Sequence, residues 1–124
     1  MDQTISLSPN EWRLMDLLWE ESPRTVTQLL HISQREIGWS KATILTMLSR
    51  LEAKGAVRHE QGPRAKAFYP AIPREAAARA ETEQFLQKVY GGSLGSMVNA
   101  MVREISPQEL SELRRILDQA EQEV

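Results

Sequence analysis

Gly38-Trp39-Ser40-Lys41-Ala42-Thr43-Ile44-Leu45-Thr46-Met47-Leu48-Ser49-Arg50-Leu51-Glu52-Ala53-Lys54-Gly55 is the stretch on which the reading of this chain turns. Ser40 is a good helix N-cap, since its hydroxyl accepts from an early backbone N–H. Gly55 is a good stop, since glycine enters the left-handed backbone that ends a helix. Between them Ile44, Leu48 and Leu51 recur at helical spacing with Leu45 beside them, an apolar stripe to bury. On the other side Thr43, Thr46 and Arg50 align, flanked by Ala42 and Ser49. That face is small, polar and basic, and it carries no carboxylate, whereas a merely solvated face usually mixes Glu with Lys. Such a face suits the major groove of DNA. Arginine pairs with guanine edges there, and threonine offers a hydroxyl to phosphate or base and a methyl to thymine.

The 124 residues hold one full domain or two small ones, with an ordinary soluble composition. Cysteine is absent, which excludes disulfides and thiolate metal sites and fits a reducing cytoplasm. No apolar run approaches the length of a membrane span, so membrane insertion is not expected. Asp2 among polar neighbours is not the start of a signal peptide. The formal net charge of −2 is unpromising for a polyanion, but its distribution is uneven. From Ser40 to Lys66, Lys41, Arg50, Lys54, Arg58, Arg64 and Lys66 stand against Glu52 and Glu60, a local +4. Local potential governs docking to phosphate more than the chain total does.

Before this helix, Ser8-Pro9-Asn10-Glu11 forms a capping-box pattern with Pro at the first helical position, opening a helix to about Glu20. Trp12, Met15 and Trp19 make one edge of its stripe, and Leu14 and Leu18 the other. Arg13, Asp16 and Glu20 face water. Two tryptophans on the arc of the aliphatics read as core anchors rather than a ligand box. Thr25-Val26-Thr27-Gln28 is a second capping box, and its helix carries Val26, Leu29 and Leu30 with Ile32 beside them, ending before Gly38. Three short helices with tight turns are the layout that presents a recognition helix.

After Gly55 the period changes to alternation. Ala56 to Glu60, a Gly62-Pro63 turn, and Ala65 to Tyr69 read as a hairpin with Arg64 and Lys66 near its tip. A hairpin that follows a basic helix face directly reads as a wing, whose cations contact phosphate rather than bases. Pro70 and Pro73 then bracket a linker. From Pro73 onward six basic residues face nine acidic ones, a net −3, so this half should stay off DNA.

The second half is helical in pattern. Phe85, Leu86, Val89 and Tyr90 close one segment at Gly91-Gly92. Leu94, Met97, Val98 and Met101 lie on a second, and Leu110, Leu113 and Leu117 on a third that opens at the capping box Ser106-Pro107-Gln108-Glu109. Three such helices bury too little alone, and a symmetric dimer through these eleven side chains would cover them. The fold expectation is therefore mainly α with a small β-hairpin. A winged helix-turn-helix DNA-binding domain occupies 1–71, and a three-helix dimerisation domain occupies 72–124.

Catalytic signals are thin. His31 and His59 lie on different elements without a motif, and structural or surface roles suit them better than a metal site. Gly91-Gly92-Ser93-Leu94-Gly95 follows a helix and lacks the Lys-Ser/Thr ending of a phosphate loop, so helix termination explains it. No nucleophile–base pair is visible. An enzyme is not expected, and neither a cofactor nor a metal.

Trp39-Ser40, Thr43-Ile44, Thr46-Met47-Leu48, Arg50-Leu51 and Lys54-Gly55-Ala56 together resemble the recognition-helix signature of the penicillinase-repressor family. Leu14-Met15, Leu18-Trp19, Phe85-Leu86, Tyr90 to Gly92, Ser93-Leu94 and Ser96-Met97-Val98 are similar too, so the resemblance runs through nearly the whole chain. It implies a homodimeric repressor on a palindromic operator. It also implies release when a membrane-bound sensor protease responds to a signal such as β-lactam and the repressor is cleaved in its second domain. Antibiotic-resistance members usually carry Trp-Ser-Pro-Lys-Thr where this chain has Trp39-Ser40-Lys41-Ala42-Thr43. The basic residue is thus displaced by one position, about 100° around the helix. Their scissile Asn-Phe pair corresponds to Ala100-Met101, with Asn99 one residue earlier. The copper-responsive branch carries C-terminal cysteines, and this chain has none.

The sequence thus leads to a cytoplasmic repressor of double-stranded operator DNA. Trp39, Ser40, Lys41, Ala42, Thr43, Thr46 and Arg50 form the helix contacts, and Arg64 and Lys66 the wing contacts. Ser40 and Lys41 would hold phosphates, while Thr43, Thr46 and Arg50 would face the groove. The alternative is a protein-interaction module that uses the winged helix only as a scaffold.

Overall fold

The computed structural model describes residues 5–124. Asp2 lies outside the described residues. The chain divides into two compact units, the first ending at Glu83 and the second Gln84–Val124. In the first unit, α1 (Pro9–Glu20), α2 (Val26–Glu36) and α3 (Lys41–Ala53) precede an antiparallel hairpin of β1 (Val57–Gln61) and β2 (Lys66–Pro70). The division falls inside α4 (Arg74–Tyr90).

Side-chain caps set where the first three helices begin. Ser8 and Glu11 close a reciprocal capping box on α1, Thr25 and Gln28 do so on α2, and the Ser40 hydroxyl accepts from the Thr43 N–H on α3. At the far end of α3, Gly55 takes φ +82°, a left-handed conformation that costs a Cβ-bearing residue strain. Its N–H reaches the Glu52 carbonyl at 3.1 Å and the Ala56 N–H reaches that of Leu51 at 2.9 Å, which closes the helix end.

Leu14, Met15, Leu18, Leu29, Ile44 and Leu51 are wholly excluded from solvent. Each such aliphatic contributes roughly 1.5–3 kcal/mol, enough for the first unit to hold its own core. On α3 the buried arc is Ile44, Met47, Leu48 and Leu51. Leu45, expected beside the stripe, is 46% exposed, and Met47 takes the core position instead. The spacing i, i+3, i+4, i+7 from Ile44 selects Met47 and leaves Leu45 about 100° off the stripe.

Two long-range features complete this unit. Arg24 bridges Phe68, with each N–H donating to the other's carbonyl at 3.1 and 2.9 Å, so the segment before α2 is tied to the edge of the hairpin by a single bridge. The Trp12 and Trp19 rings meet edge-on at 5.4 Å, and Trp19 Nε1 donates to the Ile72 carbonyl at 2.9 Å. Arg74 lies over both rings and donates to Asp16 at 3.1 Å. These ties, with Ala77 buried, hold the start of α4 in the first unit.

In the second unit α4 ends at Gly91 and Gly92, both at positive φ. Ser93 caps α5 (Leu94–Met101), a 3-10 turn follows at Val102–Glu104, and a Ser106–Glu109 capping box opens α6 (Pro107–Glu123). None of its residues is buried.

Candidate nucleic-acid interface

The cap at Ser40 and the buried arc of α3 together decide which side chains remain outside. Lys41, Ala42, Thr43, Leu45, Thr46, Ser49 and Arg50 are all exposed. They divide into two edges. Ala42, Thr43, Thr46 and Arg50 line a groove whose opposite wall is Ser8 and Asn10 at the start of α1. Lys41, Leu45 and Ser49 line a second groove, with Val26 and Thr27 of α2 and Ala65 and Lys66 of the wing across from them.

Lys41, Ala42, Thr43, Thr46, Arg50 and Lys66 of the expected contact residues thus line these two grooves, and Trp39 does not. Trp39 is placed in the core at 8% exposure, packed with the apolar cluster rather than presented at the surface. The large apolar ring immediately before the cap gains more from burial in this cluster than from exposure to water. Ser40 stays exposed, and its hydroxyl lies 3.0 Å from that of Thr43, so these two act as one pair at the helix N-terminus. Arg64 stands exposed in the hairpin turn. Lys66 opens β2 opposite Gln61 and reaches the same groove as Lys41.

The charge pattern is sharper than the local sum suggested. Lys54, counted among the basic residues, is engaged: its Nζ lies 2.6 Å from Glu11 Oε1 and donates to the Ser6 carbonyl at 2.8 Å. Glu11 is almost wholly buried. Burial alone would raise its carboxyl. The Lys54 hydrogen bond, the Ser8 backbone and side-chain hydrogen bonds and the Lys54 charge outweigh burial and hold the carboxyl below the ordinary glutamate range. Glu52 lies exposed at the end of the wing-side edge, a carboxylate that the reading of the opposite face left aside. His59 Nδ1 holds its Oε2 at 2.7 Å, and the His59 ring also packs on Phe68. Both carboxylates near α3 therefore have cationic or protonatable partners, while Lys41, Arg50, Arg64 and Lys66 show no ion pair among the described residues.

Sequence reasoning missed Ser8, Asn10, Val26 and Thr27 as walls of these grooves, because their placement depends on how α1 and α2 pack. It also missed Leu45, for which the Ile44–Met47–Leu48–Leu51 spacing was an available signal.

In the second unit, the eleven candidate interface residues are at least partly exposed. Phe85, Val89, Leu94, Met101, Leu110 and Leu117 stand exposed, and Leu86, Tyr90, Met97, Val98 and Leu113 are half-buried. Ala100 and Met101, the candidate cleavage position, are exposed at the last turn of α5, just before the helix tightens.

Three helices, the third with a capped outer face that carries Lys41 and Arg50, and a basic hairpin beside it define a winged-helix protein. The family model for the penicillinase repressor matches residues 7–119. The chain belongs to the penicillinase-repressor family. It is 30% identical over 121 residues to the penicillinase repressor of Bacillus licheniformis, covering 96% of this chain and 94% of that one. To the methicillin resistance regulatory protein MecI of Staphylococcus aureus (strain N315) it is 27% identical over 119 residues, covering 94% and 97%. A solution structure of the Bacillus licheniformis repressor BlaI, in monomeric form in complex with the blaP half-operator, matches at a TM-score of 0.53 and 29% identity. That match covers 61% of this chain and 93% of the other. No helix among the described residues is long and apolar enough to cross a membrane.

Proposed function

We propose that this protein represses transcription as a cytoplasmic homodimer on a palindromic operator, with α3 of each protomer in the major groove. The observation that carries the reading is the exposed face of α3: Lys41, Thr43, Thr46 and Arg50 stand outward and without carboxylate partners, on a fold shared with a relative solved on half-operator DNA. Thr43, Thr46 and Arg50 face base edges. Ser40 and Lys41 hold phosphate at the helix N-terminus, where backbone N–H groups point outward, and Ala42 gives the backbone close approach. Arg64 and Lys66 clamp the adjacent backbone from the wing. Trp39 supports this surface from beneath. Residues 1–71 supply the DNA-binding function and 72–124 the dimer contacts, since the apolar side chains of α4 to α6 need a partner and a twofold copy supplies one.

Release follows a signal such as β-lactam, through a membrane-bound sensor protease that cuts near Ala100-Met101. The exposure of that bond at a helix end supports access. The deciding experiment is a fluorescence-anisotropy titration of the purified protein. The DNA upstream of its own gene is compared with a scrambled duplex at several salt concentrations. Tight binding to the native duplex that is lost on scrambling is expected. Equal, weak and steeply salt-dependent binding to both would reduce the surface to a non-specific cation patch. No binding to either at low salt would leave the interaction-module reading in its place.

A further inference from the structure

We infer that Leu45 is a specificity-determining residue that contacts the C5-methyl group of a thymine in the operator, an inference that rests on the DNA-binding reading above. Leu45 lies at mid-helix on the outer face of α3 and is 46% exposed, although the neighbouring apolar residues of the same helix are buried. Lys41 and Ser49 lie one helical turn to either side of it, and Lys66 of the wing shares its groove. A leucine beside two cations, in a groove whose one carboxylate, Glu52, is held by His59, suits a polyanion that displays an apolar feature. In the major groove that feature is the thymine methyl, the one apolar group among the base edges. The cations bring the phosphates to either side, and the leucine then meets the groove floor between them. Thr46 and Arg50, on the other edge of the face, read polar base edges. The two edges would therefore read neighbouring positions by different chemistry.

The test uses full-length protein and a duplex that it selects from a random pool. Each thymine is then replaced in turn by uracil, which removes the methyl and leaves the hydrogen-bonding edge intact. One replacement is expected to weaken the wild type about fourfold, the worth of burying one methyl-sized group. Leu45→Ala should bind the thymine duplex more weakly and lose discrimination at that position, while keeping the response to changes at the guanine that Arg50 reads. Because Leu45 is exposed, the variant should melt with the wild type, and the melt is recorded alongside. Indifference of the wild type to every uracil, or unchanged discrimination in Leu45→Ala, would overturn the contact while leaving the DNA reading intact. Failure to select any sequence from the pool would overturn both.

Discussion

The two units of this molecule solve the burial problem differently. The first encloses six large apolar side chains with no solvent exposure, drawn from three helices and backed by the hairpin. The second, richer in helix, has no buried residue and leaves Phe85, Val89, Leu94, Met101, Ile116 and Leu117 each at least half exposed. A core closes when apolar stripes face one another, and those of α1, α2 and α3 meet in one buried cluster. Gln84–Val124 has long apolar stripes but too few neighbours to cover them. One region buries its apolar stripes within its own chain, and the other leaves them exposed. The contrast supports the proposed division of roles, since reading requires a rigid body and association requires exposed apolar area.

Substitutions can break this contrast. Leu51→Ala should destabilise the first unit by about 2–5 kcal/mol through an unfilled cavity. Urea unfolding should show the loss to be independent of protein concentration. If Leu51→Ala melted like the wild type, the claim of a self-sufficient core would fail. Leu117→Asp should leave the unfolding of the first unit unchanged and raise the dimer dissociation constant by at least tenfold, about 1.4 kcal/mol or more. Sedimentation equilibrium would read this, and an unchanged monomer–dimer balance would remove Leu117 from the interface.

Lys54→Met should cost about 2 kcal/mol, less than a fully buried ion pair because the ammonium is partly exposed. Glu11 is held below its ordinary range in the folded state. Its contribution is therefore fully present above the unfolded carboxyl value and is lost as pH falls through the lowered folded value. The gap between wild type and Lys54→Met should shrink in acid, where a protonated Glu11 no longer needs the ammonium. A gap constant with pH would show that Lys54 acts by packing alone.

Smaller effects test the surface. Arg50→Ala should leave the melting temperature in place yet cost roughly 1–3 kcal/mol in operator binding and relax one position. Lys66→Ala should weaken all sequences about equally and reduce the salt slope by about one. The reverse pattern in a binding series would exchange the roles of reader and clamp.

Much of the fold was legible because its punctuation is local. Ser8 with Glu11, Thr25 with Gln28, Ser106 with Glu109, and Gly55 each act within a few residues of themselves, so the order of types alone reveals them. The exposed cations of α3 and the wing were legible for the same reason, since helical period fixes which side chains share a face. What depended on distant partners was not. Burial of Trp39, the pairing of Lys54 with Glu11 and the bridge between Arg24 and Phe68 each depend on segments far apart in the chain. No spacing rule reports such meetings.

One atom among these has a wider reach. Glu11 Oε1 accepts both the N–H of Ser8 and the ammonium of Lys54, so the opening of α1 and the close of α3 are indexed to a single point. A dowel of this kind fixes how far the reading helix slides along its own axis relative to the body. In the proposed twofold assembly that slide would set the phase between half-sites. The spacing of a palindrome would then be governed in part by one buried carboxylate.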